Sequence, residues 1–587
     1  MLKGFWFLLK YSWRFSKAYI FYIFFYQIIS ALIPMVTIII PKYVIDELMS
    51  QRRAGVLAAY ILILVGYNLV GGLLVTFLQG RSFTSKQIVF CRFQTMIAEK
   101  LAKCDFEQLE DPAFLDVKEQ AGKFLYANGQ GFGVVLDSAV NIIGKSFVFL
   151  GLIAILSTIH IFIVLLFIAL VLLNTYVESR VRENYVKWDM EKAPIERKTS
   201  YFIKLIEDFS YGKEIRLYHL KDWLVSKIEA HLMLSHEFYK KQTKEYNKSN
   251  YFSTLTGFVR DLFAYLYLSY RVIAGTIGIG DFTMYLAAVS QFSAAMNNVM
   301  QSVLNIKQFG SYYDALEKYM NVPARMREGK RLPMKKGPYE IQFKNVSFKY
   351  NAQSIYALKN VNLTLHPSEK LSIVGENGAG KTTFVKLLCR LYDPTEGEIL
   401  LNGVNIKDYD YDDYMSILAA VFQDYKLFSF TIKENISFSK SEETEDGEIE
   451  ALLDRSGFGD RLKKLPKGVH SHIYRNFEPD GFEPSGGESQ KLCLAKALFK
   501  DAPIVVLDEP TAALDPRAEY EIYQKFNELV KGKTAVFISH RLSSSRFCDK
   551  IAVFSNGQVV EYGTHAELLQ ADGIYAELFH MQSQFYV

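Results

Sequence analysis

Cysteine is scarce in this 587-residue chain and follows no pattern. Its five residues (Cys91, Cys104, Cys389, Cys493, Cys548) show neither C-x-x-C spacing nor a metal-ligand arrangement with histidine. A disulfide framework is excluded as the basis of the fold, and the thiols read as unpaired in a reducing compartment. Strong net charge is also missing. A formal +4 on a chain this long gives no reason to expect a nucleic-acid partner. The N-terminal stretch "MLKGFWFLLKYSWRFSKAY" is basic and apolar, but no small-residue cleavage site follows a short apolar core. It is expected to form an amphipathic helix on a cytoplasmic membrane face rather than a cleaved signal.

Apolar residues are abundant, and unevenly so. Half the chain is hydrophobic, yet the mean hydropathy is only +0.05. That average conceals an apolar region of roughly 320 residues ahead of an ordinary α/β-like region. Six stretches, near 18–43, 56–79, 132–157, 160–178, 250–275 and 283–306, are long enough to span a bilayer. The segments 80–131 and 179–249 are long and rich in Lys and Arg, among them Arg180, Arg182, Lys187, Lys192, Arg197 and Lys198. The intervening connections on the other side are short. The positive-inside rule therefore places the long segments and both termini in the cytoplasm, with Arg52 and Arg53 against the trend. Helical periodicity in "FIKLIEDF" and "LKDWLVSKIEAH" predicts helices that continue out of the membrane and turn back.

Charges fall at membrane depth: Asp137 and Lys145 in the third stretch, Arg260, Asp261 and Arg271 in the fifth. Facing lipid they would be costly, so they predict a polar interior or cavity, or solvated positions in the helical extensions. Lys145, placed mid-span, is the strongest candidate for contact with a transported molecule.

The pattern changes after "NVPARMREGKRLPMKKGPYE", a basic linker with three prolines. "IQFKNVSFKY" alternates as a strand does. "EKLSIVGENGAGKTTFVKLL" then reads as strand, glycine-rich turn and helix. The turn fits G-x-x-x-x-G-K-[ST] from Gly375 to Lys381 and Thr382. Backbone N–H groups in such a loop curl around phosphate, Lys381 reaches the outer phosphates and Thr382 offers a hydroxyl to Mg²⁺. Downstream, "APIVVLDEPTAALD" ends a buried strand in Asp508, suited to the Mg²⁺ shell. Glu509 follows, where a carboxylate could polarise an attacking water. A further strand, "TAVFISHR", ends near His540, and ligands of open α/β sheets gather beyond such strand ends.

These motifs, in this order over essentially the whole chain, resemble the ATP-binding cassette superfamily. The closest architecture is the exporter-type half-transporter. The resemblance implies an α-helical transmembrane domain of six spans with long cytoplasmic extensions (1–321), a linker (322–338) and an α/β P-loop NTPase domain of ABC type (339–587). It implies that Tyr350 stacks on adenine and that the loop carrying Gly375, Asn377, Gly378, Gly380, Lys381, Thr382 and Thr383 binds ATP phosphates. Gln423 in "VFQD" would sense the γ-phosphate and Mg²⁺, with Thr382 and Asp508 the other metal-side residues. Glu509 would be the catalytic base, His540 the switch histidine and Asp515 the D-loop residue. Short coupling helices are expected near Glu110–Asp116 and Glu207–Lys213.

In this family the sequence "SGG", here Ser485, Gly486 and Gly487, binds ATP held by the phosphate loop of a second chain. One loop and one signature per chain require a head-to-tail dimer with a second half-transporter. Two departures stand out. The usual signature reads L-S-G-G-Q, whereas Pro484 and Glu488 occupy its first and last places; upstream, "NFEPDGFEP" keeps Gly481 but carries Glu478 one place early. Glu488 reads either as a first-turn acid that favours the helix dipole or as the mark of a weakened site in a heterodimer. Because Glu509 and His540 are both present, a homodimer is the favoured expectation. The expected function is ATP-driven transport by alternating access across the cytoplasmic membrane, most simply export. The cargo would be an amphipathic drug, peptide or lipid-like molecule, and an importer of, for example, a metal chelate is the alternative.

Overall fold

The computed structural model describes residues 2–126, 131–158, 161–328, 332–335, 337–350, 355–508, 530–538 and 542–584. The chain divides into two compact units: Met1–Cys104 with Gln108–Pro323, and Asp105–Glu107 with Ala324–Val587.

The first unit is helical throughout its described residues. Ser16 separates α1 (Leu2–Phe15) from α2 (Lys17–Met49), its hydroxyl accepting the Tyr19 N–H at 3.3 Å as an N-cap. α3 (Ala54–Ala102), α4 (Phe106–Glu110), α5 (Pro112–Tyr126), α6 (Gly133–Ser157), α7 (Ile161–Glu191), α8 (Ala193–Glu207), α9 (Gly212–Leu217), α10 (Lys221–Ile273) and α11 (Ile279–Met320) follow. At 1.5 Å per residue α3 and α10 are about 74 and 80 Å long, far beyond a hydrocarbon core of about 30 Å. Two of the turn-backs use the same device. Asp111 accepts the Ala113 N–H and Asp208 the Ser210 N–H, each at 2.9 Å, and such Asx turns hold the chain in a bend between helices. Both bends fall within the segments expected to carry the coupling helices.

Among the described residues, four helices are long and apolar enough to cross a membrane: Lys17–Met49, Ala54–Ala102, Gly133–Ser157 and Phe162–Glu191. The fifth and sixth expected spans lie inside α10 and α11. Arg260, Asp261 and Arg271 in the one, and Gln291, Asn297, Asn298 and Gln301 in the other, lower their apolarity. Of these, Arg260, Asp261 and Gln301 find protein partners. Arg260 donates to Asp261 at 2.8 Å and to Ser293. Arg182 bridges Glu178, Gln301 and Asn305, and Asn305 in turn reaches Ser138 at 3.2 Å. Lys86 pairs with Asp137 at 3.5 Å. Lys145 is half-buried. Arg53, the exception to the charge rule, is neutralised locally: its guanidinium and backbone N–H donate to the Glu47 carboxylate at 2.9–3.0 Å.

Where α7 gives way to α8, four charges close a ring. Lys123 lies 3.1 Å from both Asp189 and Glu196, while Lys192 lies 3.5 Å from Asp189 and 2.9 Å from Glu196. Tyr312 donates to Asp189 at 3.2 Å, and the Lys192 ammonium stands 4.3 Å from the centre of the Tyr239 ring.

The second unit is built on two sheets. β1 (Ile341–Phe348), β2 (Leu358–Leu365), β4 (Glu396–Leu401) and β5 (Val404–Asn405) form an antiparallel sheet in the order β2-β1-β4-β5, with β3 (Lys370–Gly375) falling between them in sequence. β3 belongs to the larger sheet with β6 (Leu418–Val421), β7 (Ile504–Asp508), β8 (Thr534–Ile538), β9 (Lys550–Ser555) and β10 (Gln558–Gly563), ordered β10-β9-β3-β8-β7-β6. β9-β3-β8-β7-β6 are parallel and almost wholly apolar, as strands covered on both faces must be. A separate helical group, α14 (Ile432–Ser437), α15 (Asp446–Arg455), α16 (Gly459–Leu462) and α17 (Gly486–Lys500), closes around Ile432, Ile449, Leu453, Phe458 and Leu492. Two further helices precede it, α12 (Lys381–Leu388) after β3 and α13 (Tyr411–Ser416) before β6.

Candidate nucleotide site

Parallel strands bring their carboxyl ends to one edge, and the predicted residues collect there. The register pairs both Ile373 of β3 and Asp508 of β7 with Ile538 of β8, so β7 and β8 end level and β3 runs two residues further, to Gly375. With neighbouring strands about 4.8 Å apart, Asp508 sits roughly 10 Å across the sheet from Ile373. Asp508 is buried, and Gln423, two residues past the end of β6, is exposed.

The loop from Gly375 to Gly380 joins β3 directly to α12. Its glycines are required by conformation. Gly375, Gly378 and Gly380 have φ of +145°, +82° and +104°, a region that side chains resist. A Cβ on Gly375 would stand 2.2 Å from the Phe554 carbonyl oxygen, and one on Gly380 2.9 Å from that of Ala357. Lys381 folds back over this loop: its ammonium donates to the carbonyls of Gly375 at 2.8 Å and Glu376 at 2.9 Å, and the residue is 5% exposed. Thr382, next along α12, is exposed, whereas Thr383 is buried and hydrogen-bonds the Tyr350 hydroxyl at 3.1 Å. Tyr350 is thus held against α12, its ring edge-on to Phe348 and Tyr392, with the Lys386 ammonium 5.4 Å from its centre. Asn377 lies within the loop. Glu509, Asp515 and His540 lie outside the described residues.

Ser485, Gly486 and Gly487 are carried elsewhere, at the start of α17. Ser485 is its N-cap, and its hydroxyl accepts the Glu488 N–H at 3.3 Å. Glu488 completes a capping box by accepting the Ser485 N–H at 2.8 Å. The same carboxylate has a second neighbour: Arg461 Nε lies 2.9 Å from Glu488 Oε1, an ion pair rather than an aligned hydrogen bond, with the guanidinium 5.8 Å from the centre of the Phe482 ring. Burial raises the Glu488 carboxyl, but the Ser485 N–H and hydroxyl and the charge of Arg461 outweigh it and keep the group below the ordinary glutamate range. The acid is therefore turned back along its own chain, which agrees with the reading of Glu488 as a helix-stabilising residue. The Tyr425 hydroxyl donates to the Gly486 carbonyl at 3.1 Å. Sequence reasoning missed Arg461 and Tyr425, because both meet α17 from distant parts of the chain.

Comparison with known proteins agrees with this architecture. A family model described as ABC transporter matches residues 358–512. The subtilin transport ATP-binding protein SpaT of Bacillus subtilis is 29% identical over 94% of this chain and 90% of its own length. The nisin transport ATP-binding protein NisT of Lactococcus lactis subsp. lactis is 28% identical over 98% and 95%. An ATP-dependent lipid A-core flippase of Paraburkholderia xenovorans is 37% identical, but over 44% of this chain and 42% of its own. Among solved structures, a bacterial Atm1-family ABC exporter with ATP bound superposes with a TM-score of 0.78 at 21% identity, covering 95% of this chain and 97% of that one. Residues 358–512 form an ABC transporter domain, and the chain as a whole, an apolar helical unit followed by an ATP-hydrolysing phosphate-loop domain, is similar end to end to SpaT and NisT and shares the fold of an ABC exporter.

Proposed function

We propose that the chain, paired with a second half-transporter, exports an amphipathic cargo from the cytoplasm at the expense of ATP. The observation that carries this is the end-to-end match to relatives named for subtilin and nisin transport, on an exporter-type fold. Those names favour a peptide among the drug, peptide and lipid-like classes, and they weigh against the importer reading. The long Lys- and Arg-rich segments put the nucleotide unit and both termini on the cytoplasmic side.

In this reading the Gly375–Gly380 loop and Lys381 hold the phosphates of ATP, and Tyr350 lies against its adenine. Ser485, Gly486 and Gly487 reach the ATP of the other chain. Thr382, Gln423 and Asp508 supply hard oxygen donors of the kind Mg²⁺ takes. The described residues contain no cluster of three His, Cys, Asp or Glu able to hold a metal unaided, which fits an ion carried largely by the nucleotide's phosphates. When bound, the metal neutralises phosphate charge during transfer. Glu509 polarises the attacking water, and His540 and Asp515 complete the site. Closure of the paired nucleotide domains, passed on through the bends near Asp111 and Asp208, opens the cavity outward; hydrolysis resets it. The favoured assembly is a homodimer, and substantial ATPase activity from the purified single chain would support it over a heterodimer.

Export is tested with labelled nisin and membrane vesicles of both orientations. ATP added outside should drive accumulation in inside-out vesicles and not in right-side-out ones. ATP-driven accumulation from the opposite face would establish import instead. Glu509→Gln should nearly abolish phosphate release and trap an ATP-bound closed dimer; normal turnover in that variant would remove Glu509 as the base.

A further inference from the structure

We propose that Arg461 is a positioning residue for ATP turnover: by pairing with Glu488 it screens an acid that would otherwise repel the other chain's triphosphate, and so leaves Ser485 presented to that phosphate. The proposal rests on the reading of Ser485–Gly487 as the ATP contact of the partner chain.

The geometry carries the argument. A helix start receives anions through N–H groups that lack acceptors within the helix. Glu488 places a carboxylate within the first turn of that start, where a bare negative charge opposes an incoming phosphate. Both of its oxygens are engaged on their own side of the helix: Oε2 accepts the Ser485 N–H at 2.8 Å, and Oε1 faces Arg461 at 2.9 Å. The Ser485 hydroxyl oxygen accepts from the Glu488 N–H, and its rotatable proton is shared with the Glu488 carboxylate, from which it can turn to an incoming phosphate. Gly486 and Gly487 keep their N–H groups for the ligand, being the first helical residues.

Arg461 is itself well placed to hold the acid aside. It sits on α16, whose neighbours Phe458 and Leu462 are buried in the same apolar cluster as Phe482 and Leu492 of α17. Its guanidinium packs by the Phe482 ring, three residues before Ser485. The arrangement makes the acid and the arginine a coupled pair. A glutamine at 488, the residue usual in this family's signature, would keep the bond to the Ser485 N–H and would need no cation.

The test uses the full chain in lipid nanodiscs, extracted with any companion chain, and MgATP as the varied substrate. Arg461→Met should raise the KM for ATP about five- to tenfold while kcat at saturating ATP stays within about twofold, an electrostatic effect that weakens at high salt. Glu488→Gln should leave KM near that of the parent, and adding it to Arg461→Met should restore KM. Arg461→Lys, which keeps the charge, should lie close to the parent; if Arg461→Met fails to purify, Arg461→Gln gives the same reading. An unchanged KM in Arg461→Met or Arg461→Gln overturns the proposal, and so does an increase that persists with glutamine at 488, since lost packing would not be cured there. Ser485→Glu separates the two readings. If that variant retains ATPase activity, the assignment of Ser485–Gly487 to ATP fails; if it is inactive while Arg461 and Glu488 act independently, only the screening role fails.

Discussion

Lys381→Ala is expected to reduce ATP hydrolysis by about a hundredfold or more, the scale of loss seen when a donor aimed at transition-state charge is removed. The surroundings of the lysine support this expectation. Its ammonium is buried against the carbonyls of Gly375 and Glu376 at 2.8 and 2.9 Å, a position interchangeable with phosphate oxygens when a nucleotide enters. Alanine removes the only cation of the Gly375–Lys381 sequence and leaves two carbonyls that solvent can satisfy through the exposed loop. The cost to folding should therefore stay within about 1–3 kcal/mol, too little to unfold a domain with so continuous a parallel-strand core. The measurement is phosphate release from the purified chain alongside its melting temperature. Activity within a few-fold of the parent, with the protein intact, would defeat the assignment of this loop.

That loop was legible from sequence because its requirements are local. A strand, three glycines forced to positive φ, and a lysine opening a helix are all encoded within a dozen residues. The long helices were legible for a similar reason, since periodicity in "LKDWLVSKIEAH" continues uninterrupted into α10. Spans five and six were harder. Their polar residues Arg260 and Gln301 are accommodated by Ser293, Glu178 and Arg182 from other segments, and no local rule announces such partners. Glu488 shows the same limit. Its place in the first turn and its spacing from Ser485 point to a capping box, but the guanidinium that holds its other oxygen comes from α16. The break between α7 and α8 was also silent. Pro194 is comfortable in the first turn of a helix and alone does not say that a helix must end at Glu191.

What stabilises that break is the ring of Lys123, Asp189, Lys192 and Glu196, and removing one member should be costly in proportion to how dry it is. The ring alternates in sign and sums to zero, so each charge has two opposite neighbours. The Lys192 side chain is only 4% exposed, against 32% for Glu196. Lys192→Met leaves Asp189 and Glu196 sharing Lys123 alone, an uncompensated negative charge in a largely buried site, which by analogy with broken buried pairs costs roughly 3–5 kcal/mol. Glu196→Gln leaves an excess positive charge on the buried Lys123 and Lys192, but the amide oxygen can still accept from both ammoniums and position 196 is open to water, so a smaller loss of about 1–3 kcal/mol is expected. The double variant restores neutrality and should recover part of the lysine effect. Thermal unfolding of the four proteins in the same detergent, with and without added salt, measures each difference and the coupling between them. Equal melting temperatures for Lys192→Met and the parent would show that the ring does not hold the α7–α8 junction. A double variant whose losses simply add would show that its charges act independently.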